Sequence, residues 1–117
     1  MADPVVYFEI VGGDGQAQQG FYRELFGWDL KPVESTDGGY ARVPAGDAGL
    51  EGGVGAFPGA PNYVTVYVQA KDPAAALERA TALGASTLME PREVRAGITV
   101  AMFRDPAGNA VGLISGV

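Results

Sequence analysis

Two short stretches hold the residues best equipped for chemistry. In VVYFEIV at 5–11, Tyr7 and Glu9 alternate with Val6, Phe8 and Ile10. In YVTVYVQ at 63–69, Tyr63, Thr65, Tyr67 and Gln69 alternate with Val64, Val66 and Val68. Alternate residues of an extended strand share a face, so each stretch predicts a strand with one polar-aromatic side and one aliphatic side. A tyrosine joins apolar area to a hydroxyl, and a carboxylate among such rings is a candidate general base. The 117 residues include no histidine and no cysteine. That removes His-based triads, imidazole and thiolate metal ligands and nucleophilic cysteines, and leaves carboxylates and phenols for acid–base work.

The elements that must position these groups occur twice. After the first strand, Asp14 is placed to cap a helix over Gln16–Phe26 that stops at Gly27. After the second, Asp72 with Pro73 opens a helix reaching Leu83 before Gly84. Helical spacing makes Ala17, Phe21 and Leu25, with Tyr22 and Phe26, the packing stripe of one helix, and Ala76, Leu77, Ala80 and Leu83 that of the other. Three strands are expected around Trp28–Val33, Gly39–Val43 and Leu50–Phe57, separated by the turns STDGG and PAGDAG. Glycines 52, 53 and 55 in the last of these imply close approach of another backbone, a subunit or a ligand. The Pro/Gly-rich run at 57–62 is the natural linker. Three further strands are expected at Ser86–Glu90, Ile98–Arg104 and Asn109–Ile114, the last two joined by DPAGN. The count is βαβββ, twice, an α+β architecture in which each copy buries a face that neither buries alone.

Composition sets the outer limits. The length fits one domain over 1–117, with modules of about 1–57 and 62–117. A hydrophobic fraction of 47% with 19% charged residues belongs to a globular chain. A net charge of −6 with no basic stripe disfavours nucleic acid and anionic membranes as partners. The start MADPVVYFEI has no basic segment leading into an apolar one, and no apolar run reaches membrane-spanning length. The expectation is a soluble cytoplasmic protein.

FYRELFGW at 21–28, LGA at 83–85 after the DPAAA helix start, and FRDPAGNAVGL at 103–113 together resemble the glyoxalase/bleomycin-resistance/extradiol dioxygenase superfamily. The resemblance covers nearly the whole chain. It implies two βαβββ modules forming a curled mixed sheet around a cleft, in a chain that often forms a homodimer. It also implies a divalent metal in that cleft, held from the first and last strands of each module. The positions corresponding to those ligands are Tyr7, Thr65, Gly112 and a residue within 50–54, where Glu51 offers one oxygen. A catalytic divalent site takes about three protein ligands, and this set does not supply them, so no metal and no cofactor are expected.

If Tyr7 and Thr65 face the cleft, alternation adds Val5, Glu9, Tyr63, Tyr67 and Gln69, with Ala110, Gly112 and Ile114 from the last strand. Small residues at 110 and 112 leave room for a ligand. The resemblance then implies binding of a small hydrophobic or aromatic molecule, sequestered as bleomycin-resistance relatives sequester a drug. Tyr7, Glu9, Tyr63, Thr65, Tyr67, Gln69, Gly112 and Ile114 are the ligand-contacting set. The alternatives are a cofactor-independent or atypical-metal lyase, isomerase or dioxygenase-like enzyme using Glu9, Tyr7 or Tyr67, and a dimeric module whose tyrosines simply fill the cleft. Trp28 is assigned to the helix–sheet junction, and Glu78, Arg79, Arg92, Glu93 and Arg95 to solvated surface or loops.

Overall fold

The computed structural model describes residues 2–117. Contacts divide the chain into two compact units, Tyr7–Val64 and Thr65–Val117, the latter joined by the first residues up to Val6. Among the described residues, eight strands and three helices follow the order βαββαβ, βαβββ. These are β1 (Val5–Val11), α1 (Gly15–Phe26), β2 (Lys31–Pro32), β3 (Tyr40–Val43), α2 (Ala45–Ala48), β4 (Gly52–Gly55), β5 (Tyr63–Gln69), α3 (Pro73–Ala82), β6 (Ser86–Arg95), β7 (Ile98–Arg104) and β8 (Ala110–Ser115). Among the described residues no helix is long and apolar enough to cross a membrane.

In the first unit the strand order is β2-β3-β4-β1. β4 runs parallel to β1 with Glu9 opposite Gly53, and antiparallel to β3 with Arg42 opposite the same glycine. The side of β1 that carries Phe8 and Ile10 packs with Tyr22, Trp28 and Ala48 around buried Leu30, Ala41, Val43 and Val54. Val43 and Val54 are fully enclosed, and burying each contributes roughly 1.5–3 kcal/mol. Trp28 lies at the helix–sheet junction, stacked on Tyr22 at 5.8 Å and tilted against Phe8 at 5.5 Å.

The start and stop of α1 follow the expected capping chemistry. The Asp14 carboxylate accepts from the Ala17 N–H at 3.1 Å, and Gly27, at φ 71°, donates its N–H to the Arg23 carbonyl. Its packing stripe does not follow expectation. Phe21, Leu25 and Phe26 are 57%, 59% and 56% exposed, whereas Gly15 and Gln19 face inward. The reason is close approach: a Cβ at Gly15 would collide with the Gly39 carbonyl oxygen, so the helix docks on its smallest residue. Gln19 stays buried because its amide donates to the Gly38 carbonyl at 3.0 Å.

In the second unit the order is β5-β8-β7-β6, with β8 parallel to β5 and the other pairs antiparallel. Ala70, Leu77, Ala101 and Leu113 form its core, with Ala76 and Phe103 against them. Asp72 caps α3 through the Ala75 N–H, as its sequence predicts. Leu83, expected in the packing stripe, is instead the C-cap residue and 66% exposed.

Three strand bounds also differ from expectation. β2 and β4 are shorter than the runs around them, and PAGDAG forms the short helix α2 where a turn was expected. β6 extends to Arg95 and forms a hairpin with β7, placing Arg92, Glu93 and Arg95 on a strand but still exposed. Pro91 is tolerated there because β6 ends the strand order and its pairing is interrupted by register shifts.

Candidate functional site

In the first unit, alternation in β1 brings Tyr7 and Glu9 to the side opposite Phe8 and Ile10, and β3 contributes Tyr40 from two strands away. Glu9 is only 5% exposed. Its Oε2 accepts from the Tyr40 hydroxyl at 2.8 Å, and its Oε1 accepts from the Tyr63 hydroxyl at 2.8 Å. The Tyr7 hydroxyl lies 2.8 Å from that of Tyr40. Because Tyr40 spends its proton on the carboxylate, Tyr7 is the donor in that pair. A single hydrogen-bonded run therefore passes from Tyr7 through Tyr40 to Glu9 and on to Tyr63.

Gly53 makes the arrangement possible. A Cβ there would collide with the hydroxyls of both Tyr40 and Tyr7, so the missing side chain is where the two phenol heads meet. Gly52 gives the same room to the Phe8 ring, and Gly55 to the Gly39 carbonyl. The close approach predicted at these glycines is thus made by the chain's own atoms, where the sequence left a subunit or a ligand open. Phe57, from the linker, stacks on Tyr40 with centroids 5.0 Å apart. At the border of the group, Arg42 donates to Glu51 at 2.5 Å, and both side chains remain partly exposed.

Electrostatics holds these phenols in their neutral form. Burial pushes the Tyr7 hydroxyl up to about 12, opposed by the Tyr40 hydroxyl and aided by the Glu9 charge. Burial raises Tyr40 much further, with the Glu9 and Tyr7 charges adding to it. Tyr63 is also raised, first by burial and then by Glu9. All three act as hydrogen-bond donors throughout the physiological range.

In the second unit, the predicted residues are engaged with their own surroundings. The ring of Tyr67 occupies the space beside Gly112, its partner across the β5–β8 ladder, and its hydroxyl lies 3.9 Å from the Met102 sulfur. Thr65 is buried and donates to the Ala110 carbonyl at 2.7 Å. Gln69 donates to the Val117 carbonyl at 2.6 Å, and Ile114 is buried in the strand opposite it. The room expected at Ala110 and Gly112 is therefore taken up within this unit. Val5 is about half exposed.

These residues do not fit a divalent metal. Of the four corresponding positions, Tyr7 is a neutral phenol hydrogen-bonded to Tyr40, Thr65 is turned to a backbone carbonyl, Gly112 is covered by a ring, and Glu51 is ion-paired with Arg42. Among the described residues no three His, Cys, Asp or Glu side chains converge. A hard cation needs several oxygen ligands directed at one point, and among the described residues no cluster of three carboxylates supplies them.

Sequence reasoning missed Tyr40, Arg42 and Phe57. For the first two a signal existed: in GGYARV they alternate onto one face, and the glycine-rich strand beside them leaves space on that face. Phe57 sits in a linker and gave no periodic signal. Two shallow concavities lie away from the cluster. One, of about 680 Å³, runs between α3 and β6, lined by residues including Leu77, Glu78, Thr81 and Glu90. The other, about 640 Å³, lies along the outer face of α1.

A family model described as a glyoxalase-like domain matches residues 10–114. No curated protein matches the chain. Among solved structures, it is similar to a hypothetical protein from Bacillus halodurans C-125, with 12% identity, a TM-score of 0.68 and coverage of 98% of this chain and 95% of that one. A glyoxalase/bleomycin resistance protein/dioxygenase superfamily member from Vibrio splendidus 12B01 aligns with 16% identity and a TM-score of 0.65, over 97% of this chain and 99% of that one. A methylmalonyl-CoA epimerase from Mycobacterium tuberculosis aligns with 14% identity and a TM-score of 0.65, over 97% and 87%. At such identities the likeness establishes a shared fold.

Proposed function

The chain belongs to the glyoxalase-like domain family, and from that premise we propose that it binds a small hydrophobic or aromatic molecule and sequesters it without chemical change. In this reading it is a cytoplasmic homodimer, and the ligand lies against the Tyr7, Tyr40 and Tyr63 face of the first unit. The observation that carries the reading is the Glu9 carboxylate, buried and held at each oxygen by a tyrosine hydroxyl. Such a network fixes the rings in one orientation before any ligand arrives. Preorganisation of this kind favours binding because little side-chain freedom remains to be lost.

The test is thermal unfolding of the purified protein with a panel of planar phenols and arylamines, and separately with divalent cations and chelator. A bound compound at a hundred times its Kd adds about 2.7 kcal/mol of stability, and Tyr63→Phe should weaken the effect. Absence of any stabilising compound would overturn the reading, as would stabilisation by a stoichiometric metal. The unbroken hydrogen-bonded run from Tyr7 to Tyr63 favours a second reading, a cofactor-independent enzyme in which Glu9 moves a proton. Its mark would be turnover that Glu9→Gln abolishes while leaving binding intact.

A further inference from the structure

We propose, resting on the ligand-binding reading above, that Phe57 is a gate on the tyrosine cluster. Its ring occupies the place on Tyr40 that the ring of a planar aromatic ligand takes, and it swings out with its loop when the ligand binds. Tyr40 is only 7% exposed. Its hydroxyl meets Tyr7 and Glu9, both fixed in β1. One face of its ring is covered by Phe57, stacked at 5.0 Å with 25° between the planes. A ligand that stacks on Tyr40 from that side must displace Phe57.

Phe57 can move where its neighbours in the cluster cannot. It lies outside the strands and is 38% exposed. The run Phe57-Pro58-Gly59-Ala60 closes on itself with the pattern of a type II turn. The Ala60 N–H donates to the Phe57 carbonyl at 3.1 Å, Pro58 stands at the second position, and Gly59, at φ 78°, stands at the third. Among the described residues, no hydrogen bond joins 57–61 to any residue outside that turn. The stacked ring is what holds the turn against the cluster. The chain is pinned on either side, by the Ala56 N–H on the Gly39 carbonyl at 2.9 Å and by the Tyr63 hydroxyl on Glu9 at 2.8 Å. A short turn between two fixed points, held down by one exposed apolar ring, opens as a flap.

Ring chemistry selects what replaces it. A stacked aromatic pair stabilises the closed form by a factor of only roughly two to twelve, so the open form is a minor but accessible state. A planar ring recovers on Tyr40 the stacking that Phe57 gives up. A saturated or branched molecule displaces Phe57 and recovers none of it, so the gate favours flat aromatic compounds. Affinity is lowered by the fraction of chains that are closed, and removing the Phe57 ring therefore raises it.

The experiment is equilibrium titration and stopped-flow mixing of the full chain with the fluorescent planar phenol umbelliferone. It compares the native sequence with Phe57→Ala and Phe57→Trp, thermal unfolding showing that each is folded. Phe57→Ala should bind at least about threefold more tightly than the native chain, and Phe57→Trp, with its larger ring on Tyr40, more weakly. In the native chain the observed rate should level off as umbelliferone rises, because opening comes first, while in Phe57→Ala it keeps rising in proportion. Binding seen only in Phe57→Ala would also support the gate. Native binding that substitution at 57 leaves unchanged, or that Phe57→Ala weakens, would overturn the gate and leave the ligand-binding reading standing. If neither the native chain nor Phe57→Ala binds umbelliferone or any compound of the phenol and arylamine panel, gate and reading fall together.

Discussion

Replacing Tyr40 by Phe removes one oxygen and leaves the ring in place. That oxygen is the donor to Glu9 Oε2 at 2.8 Å and the partner of the Tyr7 hydroxyl at 2.8 Å. The ring keeps its stacking on Phe57, so little packing is lost. A hydrogen bond to a charged group contributes about 1.5–3 kcal/mol, and the neutral one to Tyr7 about 0.5–1.5 kcal/mol. The expected destabilisation is therefore about 2–4 kcal/mol, which for a domain of this size lowers Tm by roughly 10 °C. Urea unfolding at neutral pH measures it, and a double-mutant cycle with Glu9→Gln should return a coupling of at least about 1 kcal/mol. An additive cycle, or a Tyr40→Phe variant within about 0.5 kcal/mol of the native protein, would refute the claim that Tyr40 holds the carboxylate.

Three further outcomes follow from the structure. Tyr7, Tyr40 and Tyr63 all titrate above their ordinary value, so the folded state keeps protons that the unfolded chain releases, and stability is complete below pH 10 and falls above it. Each fully buried tyrosine contributes a slope of about 1.4 kcal/mol per pH unit; Tyr63, nearer solvent, contributes less, and for Tyr7 the loss ends near pH 12. Tyrosinate absorbance followed against pH should therefore rise together with unfolding, and a separate, earlier ionisation of these residues would contradict the burial argument. Asp105 is held below the usual carboxylate range by the Asn109 side chain and by backbone N–H groups of the DPAGN turn, so its contribution is present at neutral pH and lost on acidification; Asp105→Asn should flatten the acid limb of the stability curve. Asp72→Ala should lower stability by about 1 kcal/mol through loss of the α3 cap, measurable by urea unfolding.

Where local chemistry decides the outcome, the sequence was easily read. The caps at Asp14 and Asp72, the stop at Gly27, the alternation of β1 and β5 and the DPAGN turn all rest on interactions within a few residues. The outward turn of α1 was not legible, because it depends on Gly15 meeting the Gly39 carbonyl, a contact across 24 positions that no periodicity reports. β6 was misjudged because Pro91 and its charges resemble a loop, and an edge strand accepts both. At the site, alternation found Tyr7, Glu9 and Tyr63 separately. It gave no means of knowing that Tyr40 would join two of them through one carboxylate.

Internal duplication makes the glycines of the two ladders directly comparable. Gly53 of β4 lies opposite Glu9 of β1, and Gly112 of β8 lies opposite Tyr67 of β5. Each is a missing side chain beside the first strand of its own unit, yet the space is used differently. At Gly53 it admits two hydroxyl groups, the polar ends of Tyr40 and Tyr7; at Gly112 it admits the body of a ring. An added methyl should therefore have different consequences. Gly53→Ala forces the Tyr7 and Tyr40 heads apart and breaks the run to Glu9, so it should lower stability by about 1–3 kcal/mol and abolish ligand stabilisation. Gly112→Ala displaces the Tyr67 ring at a similar cost in stability, while the Tyr7, Tyr40, Glu9 and Tyr63 contacts survive. Equal loss of ligand response in both variants, measured at matched residual stability, would mean that binding does not belong to the first unit's tyrosine cluster.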